Sequence, residues 1–293
     1  MTSAIRVAWL AALSVCGAST LALAAHAQPP GTTCHAAKGT PQLDHAVVAV
    51  RDLDATRDAL QDAGFVVKRG RDHADGLRNA HVKFSDGTSL EFMTLTGPPS
   101  SEIARSYAER LARGDRGAFV ALSVPTLDAV ERAARGVGLE TVRTRSGAWS
   151  FLSFTATSDA AALFFVTGGA PSVDPDSLLA HTSGAAGVQA AWLEGGPRLD
   201  RLLQTLGATP CDTIQVPDGR VGARWMLGAG MLAVVRGRVQ DAPPRVLGVE
   251  LRSPAIERAA EGATTSSTAR PPVTRELIPG FWVRAGTSPG ASR

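Results

Sequence analysis

The chain has 293 residues, of which 44% are hydrophobic and 19% are charged. This composition is typical of a soluble globular protein of about two domains, each of roughly 100–150 residues. The formal net charge is +3, but the Lys and Arg residues are scattered and form no basic run interleaved with aromatics. A nucleic-acid partner is therefore not expected.

The first 27 residues have the pattern of a secretory signal peptide. A short basic start (residues 1–6) precedes an apolar run (residues 7–24), and Ala25-His26-Ala27 fits the small-x-small cleavage rule. We therefore predict a signal peptide over residues 1–27, a periplasmic or secreted protein, and no stable membrane span after cleavage. Two alternatives stay open: a transmembrane anchor, although Gly, Ser and Thr interrupt the run, and a lipoprotein modified at Cys16, although the preceding Val15 is bulky for that signal.

Two cysteines, Cys34 and Cys211, remain after the signal peptide is removed. An even pair in an exported protein is a disulfide candidate, and two unpaired thiols are the alternative. Residues 28–40 are rich in Pro, Gly and Thr without periodicity, which predicts an extended lead-in segment before the fold begins.

A β-α-β-β-β pattern follows the lead-in. Residues 43–50 form an apolar run with strand propensity, and the helical pattern that starts near Leu53 is stopped by Gly64. Asp86-Gly87 is a strong hairpin signal between two later strands. The remaining strands of this unit are predicted over residues 65–68, 80–84 and 89–95.

The same pattern repeats along the chain, which indicates a modular fold. A connector helix is predicted over residues 102–113, with Ile103, Tyr107 and Leu111 on one face. The second unit has a helix from about residue 127 and strands over 149–155 and 162–167. The third has strands over 188–193, 220–227 and 231–235 and a helix over 197–206. The fourth is degenerate, with strands over 245–251 and 281–283, a short helix over 254–260, a loose loop over 262–272 and a disordered tail over 286–293.

The first unit resembles the vicinal oxygen chelate superfamily, and its glyoxalase-like proteins most closely. The residues that carry the resemblance are Leu43-Asp44-His45, Val50-Arg51-Asp52-Leu53-Asp54, Ala63-Gly64-Phe65, Gly70-Arg71-Asp72-His73, Gly76, Asn79 and Ser89-Leu90-Glu91-Phe92. The resemblance implies an α+β fold of repeated βαβββ modules that form curved mixed sheets, as in glyoxalase and bleomycin-resistance proteins. We expect one glyoxalase-like domain over residues 41–170 and a second, degenerate one over residues 178–285.

The resemblance also implies a metal site. In that superfamily the first strand of a module supplies a His ligand and the last strand a Glu, which here are His45 and Glu91, with Glu91 also the catalytic candidate. Imidazole and carboxylate suit a divalent transition metal, although a firm site needs three or four protein ligands. Further ligands could come from His73, His81 or His181. The alternative is a hydrogen-bonded strand histidine beside a carboxylate that lines a pocket.

Alignment of the repeats places phenylalanine at both ligand positions of the second module. Phe119 takes the place of His45, and Phe164 takes the place of Glu91. We expect both rings to form an apolar wall of the ligand cavity, opposite His45 and Glu91 on the inner face of the sheet.

Four polar residues cluster between the first helix and the hairpin, and they are candidates for binding an anionic or polar ligand. They are Arg71, His73, Arg78 and Asn79. A solvated loop is the alternative.

The sequence therefore predicts an exported glyoxalase-like protein that acts on or binds a small polar molecule. One version is an enzyme of lyase, isomerase or dioxygenase type, in which a divalent metal at His45 and Glu91 polarises vicinal oxygens of a substrate. A second version binds a ligand without metal, and a third is a protein-interaction module that uses the sheet.

Overall fold

The computed structural model describes residues 34–169, 173–237, 243–253 and 274–285. The first half of the chain contains β1 (Gln42–Ala49), α1 (Leu53–Asp62), β2 (Lys68–Asp72), β3 (Leu77–Lys83), β4 (Ser89–Leu95), α2 (Glu102–Leu111), β5 (Arg116–Ser123), α3 (Leu127–Gly136), β6 (Thr141–Ser146), β7 (Trp149–Phe154) and β8 (Leu163–Gly168). The second half contains α4 (Asp176–Leu179), β9 (Gly187–Gly195), α5 (Pro197–Thr205), β10 (Thr209–Gln215), β11 (Val221–Met226), β12 (Met231–Arg236), β13 (Val246–Arg252), β14 (Thr274–Ile278) and β15 (Phe281–Ala285).

The strands pair in the same way in each unit. The first strand of a unit runs parallel to its last strand, in β1–β4, β5–β8 and β9–β12. The first strands of neighbouring units then pair antiparallel, β1 with β5 and β9 with β13. The result is a mixed, curved sheet of repeated βαβββ units, which confirms the predicted α+β fold.

The two faces of the sheet in the first half bury different residues. Ala46 and Val48 of β1 pack in the main core together with residues of α1 and α3. Val47 and Ala49 point the other way and pack with Tyr107 of α2. Because side chains alternate along a strand, this second face, which we call the inner face, also receives His45.

Several predicted boundaries in the first unit were wrong. The strand after α1 begins at Lys68 rather than at Phe65. Residues 64 and 65 still belong to the C-terminal turn of α1, because Gly64 has a φ of +85° and the Phe65 N–H donates to the Leu60 carbonyl. Phe65 is then buried in the core instead of pairing in the sheet. The next strand begins at Leu77, earlier than predicted, whereas β4 has the predicted bounds.

The buried face of α2 also differs from the prediction. Ile103 is 49% exposed, whereas Ala104, Tyr107 and Arg110 are buried. Ser101 caps the helix, since its side chain accepts a hydrogen bond from the Ala104 N–H. The helix therefore turns Tyr107, and not Ile103, toward the inner face.

Four strands were given no range from the sequence: β5, β6, β10 and β14. Most residues of β6 and β10 are exposed, so their sequences lack the alternation that marks a half-buried strand. The predicted signal peptide, the helix over 254–260, the loop over 262–272 and the tail over 286–293 lie outside the described residues. In the described part of the chain, no helix is both long and apolar enough to cross a membrane.

The two halves share one hydrogen-bonded sheet, in which Val246 of β13 pairs with Gly117 of β5. A second bridge joins Gln42, at the start of β1, to Ala229 of the second half. The division into domains over 41–170 and 178–285 stays a prediction.

The predicted disulfide is confirmed. Cys34 and Cys211 are bonded, with their Cα atoms 5.9 Å apart. The bond ties the lead-in segment to β10, and the Thr209 hydroxyl donates to the His35 carbonyl beside it.

We predict that replacing Cys34 and Cys211 together by serine lowers the free energy of unfolding by about 2–4 kcal/mol, because the bond closes a long loop in the unfolded chain. Guanidinium unfolding of oxidised wild type and of the double variant measures the change. Equal denaturation midpoints would show that the bond adds no stability.

We predict that Gly117→Ala destabilises the protein by about 1–3 kcal/mol, since a Cβ at this position would lie against the carbonyl oxygen of Val246. Gly136→Ala is the matched control, because a Cβ there meets nothing within 4 Å. Thermal unfolding of both variants measures the difference in stability. Equal stabilities would contradict close packing between Gly117 of the first half and Val246 of the second.

Candidate functional site

His45 and Glu91 meet on the inner face. His45 lies on β1 and Glu91 on the adjacent parallel strand β4, where it pairs with Val47. The two strands place the His45 Nε2 atom 3.5 Å from the Glu91 Oε2 atom, and the side chains are 17% and 14% exposed. At this distance the contact is an ion pair longer than an ordinary hydrogen bond.

Asp44 completes a carboxylate–imidazole–carboxylate arrangement. Its Oδ1 atom lies 2.6 Å from the His45 Nδ1 atom. The pairing of β1 with β5 shifts register between Leu43 and His45, and this irregularity lies where the neighbouring side chains Asp44 and His45 meet. The role of Asp44 was not predicted from the sequence, because an irregularity of this kind leaves no pattern in the residues.

Glu91 has further partners on β3. The Asn79 side-chain Nδ2 donates to Glu91 Oε1 at 2.7 Å, and the side-chain Oδ1 of Asn79 accepts the Arg71 backbone N–H at 2.9 Å. The His81 Nε2 atom lies 3.9 Å from Glu91 Oε1. Asn79 is buried, so these bonds hold the carboxylate in one orientation.

The charges of this pair stabilise each other. Burial lowers the pKa of His45, but its hydrogen bond with Asp44 and its ion pair with Glu91 outweigh burial and raise the pKa to about 9. Burial raises the pKa of Glu91, and the contact with His45 outweighs it and lowers the pKa to about 2. Burial lowers the pKa of His81 to about 4, so this imidazole is neutral at pH 7.

Aromatic rings of the second module close the opposite side of the site. The Phe164 ring lies edge-on to the His45 ring, with centroids 5.6 Å apart, and Phe119 packs edge-on to Phe164 at 6.1 Å. Phe151 packs against Phe164 as well, at 6.2 Å, although it was not a candidate from sequence. His45 therefore faces an apolar wall.

Helix α2 lies against the same wall. The Tyr107 ring packs edge-on to Phe119 at 5.5 Å, and the Arg110 guanidinium lies 4.1 Å from the centre of the Phe119 ring. Arg110 is buried and donates to the carbonyls of Pro244 and Ala161. Tyr107 was placed on a helix in the sequence analysis, but its position beside the site depends on tertiary packing.

Comparison with known proteins agrees with this architecture. A family model described as "Glyoxalase-like domain" matches residues 43–206, more than half of the chain. The chain belongs to the glyoxalase-like domain family. Its membership in the vicinal oxygen chelate superfamily is thereby confirmed.

Solved structures show the same fold for this glyoxalase-like chain. A hypothetical protein from Staphylococcus aureus aligns with a TM-score of 0.55 and 12% identity, over 84% of this chain and 99% of that one. A xylose isomerase-like TIM barrel/4-hydroxyphenylpyruvate dioxygenase fusion protein aligns with the same score and identity, over 91% of this chain and 52% of that one. At 12% identity these likenesses show the fold alone. No curated protein shows a significant match to the sequence.

The structure joins only one of the four polar ligand candidates to His45 and Glu91. Asn79 contacts Glu91 directly, whereas Arg71 is exposed and reaches the site only through its backbone N–H. Arg78 pairs with Asp72 at the surface. The His73 N–H donates to the Leu77 carbonyl at the end of the β3 hairpin, and its Nε2 atom is buried without a partner in the described part of the chain.

His181 has a structural position in this glyoxalase-like protein. Its Nδ1 atom accepts the Val66 N–H at 3.0 Å, and its Nε2 atom lies 2.8 Å from the Lys83 carbonyl. Because both ring nitrogens are bonded to backbone, His181 is not available as a ligand at the His45 site.

The side chains at the site do not provide enough ligands to coordinate a metal ion. Across the described ranges, no group of three or more His, Cys, Asp or Glu side chains is arranged to hold a metal ion. Phe119 and Phe164 occupy the second-module positions, so His45 and Glu91 form a two-donor set where three or four are usual. The residues present do not fit the metal site that the resemblance implied.

We predict that the free energy of unfolding is greatest near pH 6.5 and that its decrease at higher pH is caused by deprotonation of His45. A His pKa raised by folding adds stability that is complete below 6.5 and is lost as the pH rises through 9. The lowered pKa of His81 has the opposite effect, so its contribution is complete above 6.5 and is lost as the pH falls toward 4. The alkaline loss is expected to be a few kcal/mol, at about 1.4 kcal/mol per pKa unit.

Denaturant unfolding at pH 6.5 and pH 9, in the presence of a chelator, measures this loss. His45→Gln is expected to reduce it strongly, whereas His35→Gln, at an exposed position, leaves it unchanged. A wild-type protein equally stable at both values would contradict the ion pair.

Proposed function

We propose that this protein is an exported glyoxalase-like protein that binds a small polar molecule with vicinal oxygens on its inner face. The observation that carries the proposal is the convergence of His45 and Glu91, 3.5 Å apart, against a wall of phenylalanine rings. A pocket with a few convergent polar groups in apolar surroundings is the usual form of a small-molecule site.

The ion pair offers a donor and an acceptor side by side. His45 is protonated at neutral pH, and its contact with Glu91 is long enough for the Nε2–H to be shared with a ligand oxygen. Glu91 can accept from a ligand hydroxyl while Asn79 holds its other oxygen. A hydroxyl next to a carbonyl satisfies both groups at once.

The charge of the site favours a neutral ligand. Asp44 and Glu91 carry two formal negative charges against one positive charge on His45. A carboxylate ligand would add a third negative charge to a partly buried site, which is costly. A hydroxy ketone is therefore preferred over a hydroxy acid of similar size.

The pKa values favour binding over proton transfer. A general acid or base works best with a pKa near the operating pH. The pKa of His45 is about 9 and that of Glu91 about 2, so at neutral pH the imidazole stays protonated and the carboxylate stays ionised. The metal-free binding version is thus our first choice, and the catalytic role of Glu91 stays a prediction.

The metal-dependent version is the second candidate; it would need further ligands beside His45 and Glu91, but one contact favours it. A metal-bound histidine commonly donates its other ring N–H to a carboxylate, and Asp44 stands in that position beside His45. Metal content of the natively purified protein, measured by mass spectrometry, separates the two versions.

Export is supported by the disulfide. Stable disulfides persist in oxidising compartments, and the Cys34–Cys211 bond agrees with a periplasmic or secreted protein. The intact mass of the exported protein tests whether the chain starts at Gln28.

We predict that hydroxyacetone binds to the wild-type protein, and that Glu91→Gln and His45→Gln each weaken the binding tenfold or more, since each removes a charge-assisted hydrogen bond. Lactate, the charged comparison, is expected to bind less well. Isothermal titration of the disulfide-bonded protein in chelator measures the affinities.

His35→Gln is the matched control and should bind like wild type. Equal binding by all three variants, or failure of both compounds to bind wild type, would refute the proposed function while leaving the family assignment intact.

A further inference from the structure

The aromatic side of the site continues along the second module. Phe164 lies edge-on to His45, with ring centroids 5.6 Å apart, and Phe151 packs against Phe164 at 6.2 Å. Trp149 lies two residues before Phe151 on β7, so its side chain projects from the same face of the sheet. We call Phe164, Phe151 and Trp149 the aromatic strip, which runs from the ion pair toward the start of β7.

All three residues of the aromatic strip have accessible surface. Phe164 and Phe151 are partly exposed. Trp149 is 38% exposed, and it is the one aromatic residue among the large apolar side chains that are exposed in the described ranges. His45 and Glu91 are also accessible beside the strip. Accessible apolar surface that continues from a few polar groups is typical of a ligand-binding site.

The backbone next to the strip holds Trp149 in place. Trp149 pairs with Gly168, the last residue of β8, and the Ala148 carbonyl accepts the Gly169 N–H. Gly169 has a φ of +71°, and the indole occupies the space that a side chain at this position would need. The exposed ring is therefore fixed on one side before any ligand binds, which lowers the entropic cost of binding there.

The residues of β6 that neighbour the strip are uncharged. Thr144 and Ser146 stand opposite the two strip residues of β7. Arg143 points to the other face of the sheet, where it pairs with carboxylates of α3, and alternation places Arg145 on that face as well. The surface along the strip therefore suits an uncharged apolar group.

We propose that the aromatic strip binds an aromatic ring of the ligand, next to the hydroxy-ketone head at His45 and Glu91. The inference rests on the proposed function. The strip begins at Phe164, which contacts His45, so a ring bonded directly to the carbonyl carbon of the head needs no linker to reach it. The ligand class is an aromatic hydroxy ketone, and Phe151 and Trp149 are specificity-determining residues.

Three neutral probes with the same hydroxymethyl ketone head test this by isothermal titration in chelator. They carry a methyl group (hydroxyacetone), a cyclohexyl ring or a phenyl ring. Wild type is expected to bind the phenyl ketone about tenfold or more tightly than hydroxyacetone, because a ring buries more apolar surface. It should bind the phenyl ketone about threefold to tenfold more tightly than the cyclohexyl ketone, the additional effect of aromatic pairing.

Substitutions in the strip locate the preference. The double variant Phe151→Leu/Trp149→Leu should lose most of the preference for phenyl over cyclohexyl and leave hydroxyacetone binding unchanged. Phe151→Tyr and Trp149→Phe keep aromatic rings and should keep the preference. Trp282→Leu makes the same change at a partly exposed position of the second half and should bind all three probes like wild type. The thermal midpoint of each variant shows that it is folded.

The outcomes distinguish this inference from the function on which it rests. If hydroxyacetone binding depends on His45 but wild type does not prefer phenyl over cyclohexyl, or the double leucine variant keeps the preference, the function stands and the inference is overturned. If His45→Gln binds the phenyl ketone like wild type, the ring binds without the head and the inference is overturned as well. If none of the three probes binds wild type, both are overturned.

Discussion

The first half of the protein depends on the pairing of β1 with two neighbours, β4 in parallel and β5 antiparallel. This pairing joins two βαβββ units and sets which face each side chain meets. Ala46 and Val48 enter the core with the helices, and His45 is left on the inner face beside Glu91. A slip of one residue would exchange the faces and turn His45 into the apolar core, so burial of the apolar positions also determines the geometry of the site.

Much of this arrangement could be predicted from the sequence, because it follows from local patterns. The Asp-Gly turn and the strand pattern predicted β4, whereas the facing positions of His45 and Glu91 were predicted from the resemblance to the vicinal oxygen chelate superfamily. Edge strands such as β6 and β10 were missed, since exposed polar strands have no apolar period. The contacts of Asp44 and Tyr107 were also missed, because one lies at a strand irregularity and the other depends on how a helix packs against a distant sheet.

The phenylalanines at the second-module positions change the energetics of the pair. A carboxylate that is 14% exposed beside aromatic rings needs a cation or strong donors, and here it has the His45 imidazolium and the Asn79 amide. The two pKa values are displaced in opposite directions, as expected when each charge stabilises the other. The pair is thus electrostatically satisfied by its own neighbours.

The second half has a different inner face. Trp192 of β9 pairs with Ala233 of β12 in the same way that Val47 of β1 pairs with Glu91 of β4. Ala233 therefore occupies the position that corresponds to Glu91, and the second half has no carboxylate there. The Trp192 ring is fully buried beneath the Arg284 guanidinium, 4.6 Å from the ring centre, and its N–H donates to Glu250. This face is filled by its own side chains. The second half is joined to the first by the disulfide, the Gln42–Ala229 bridge and the β5–β13 pairing.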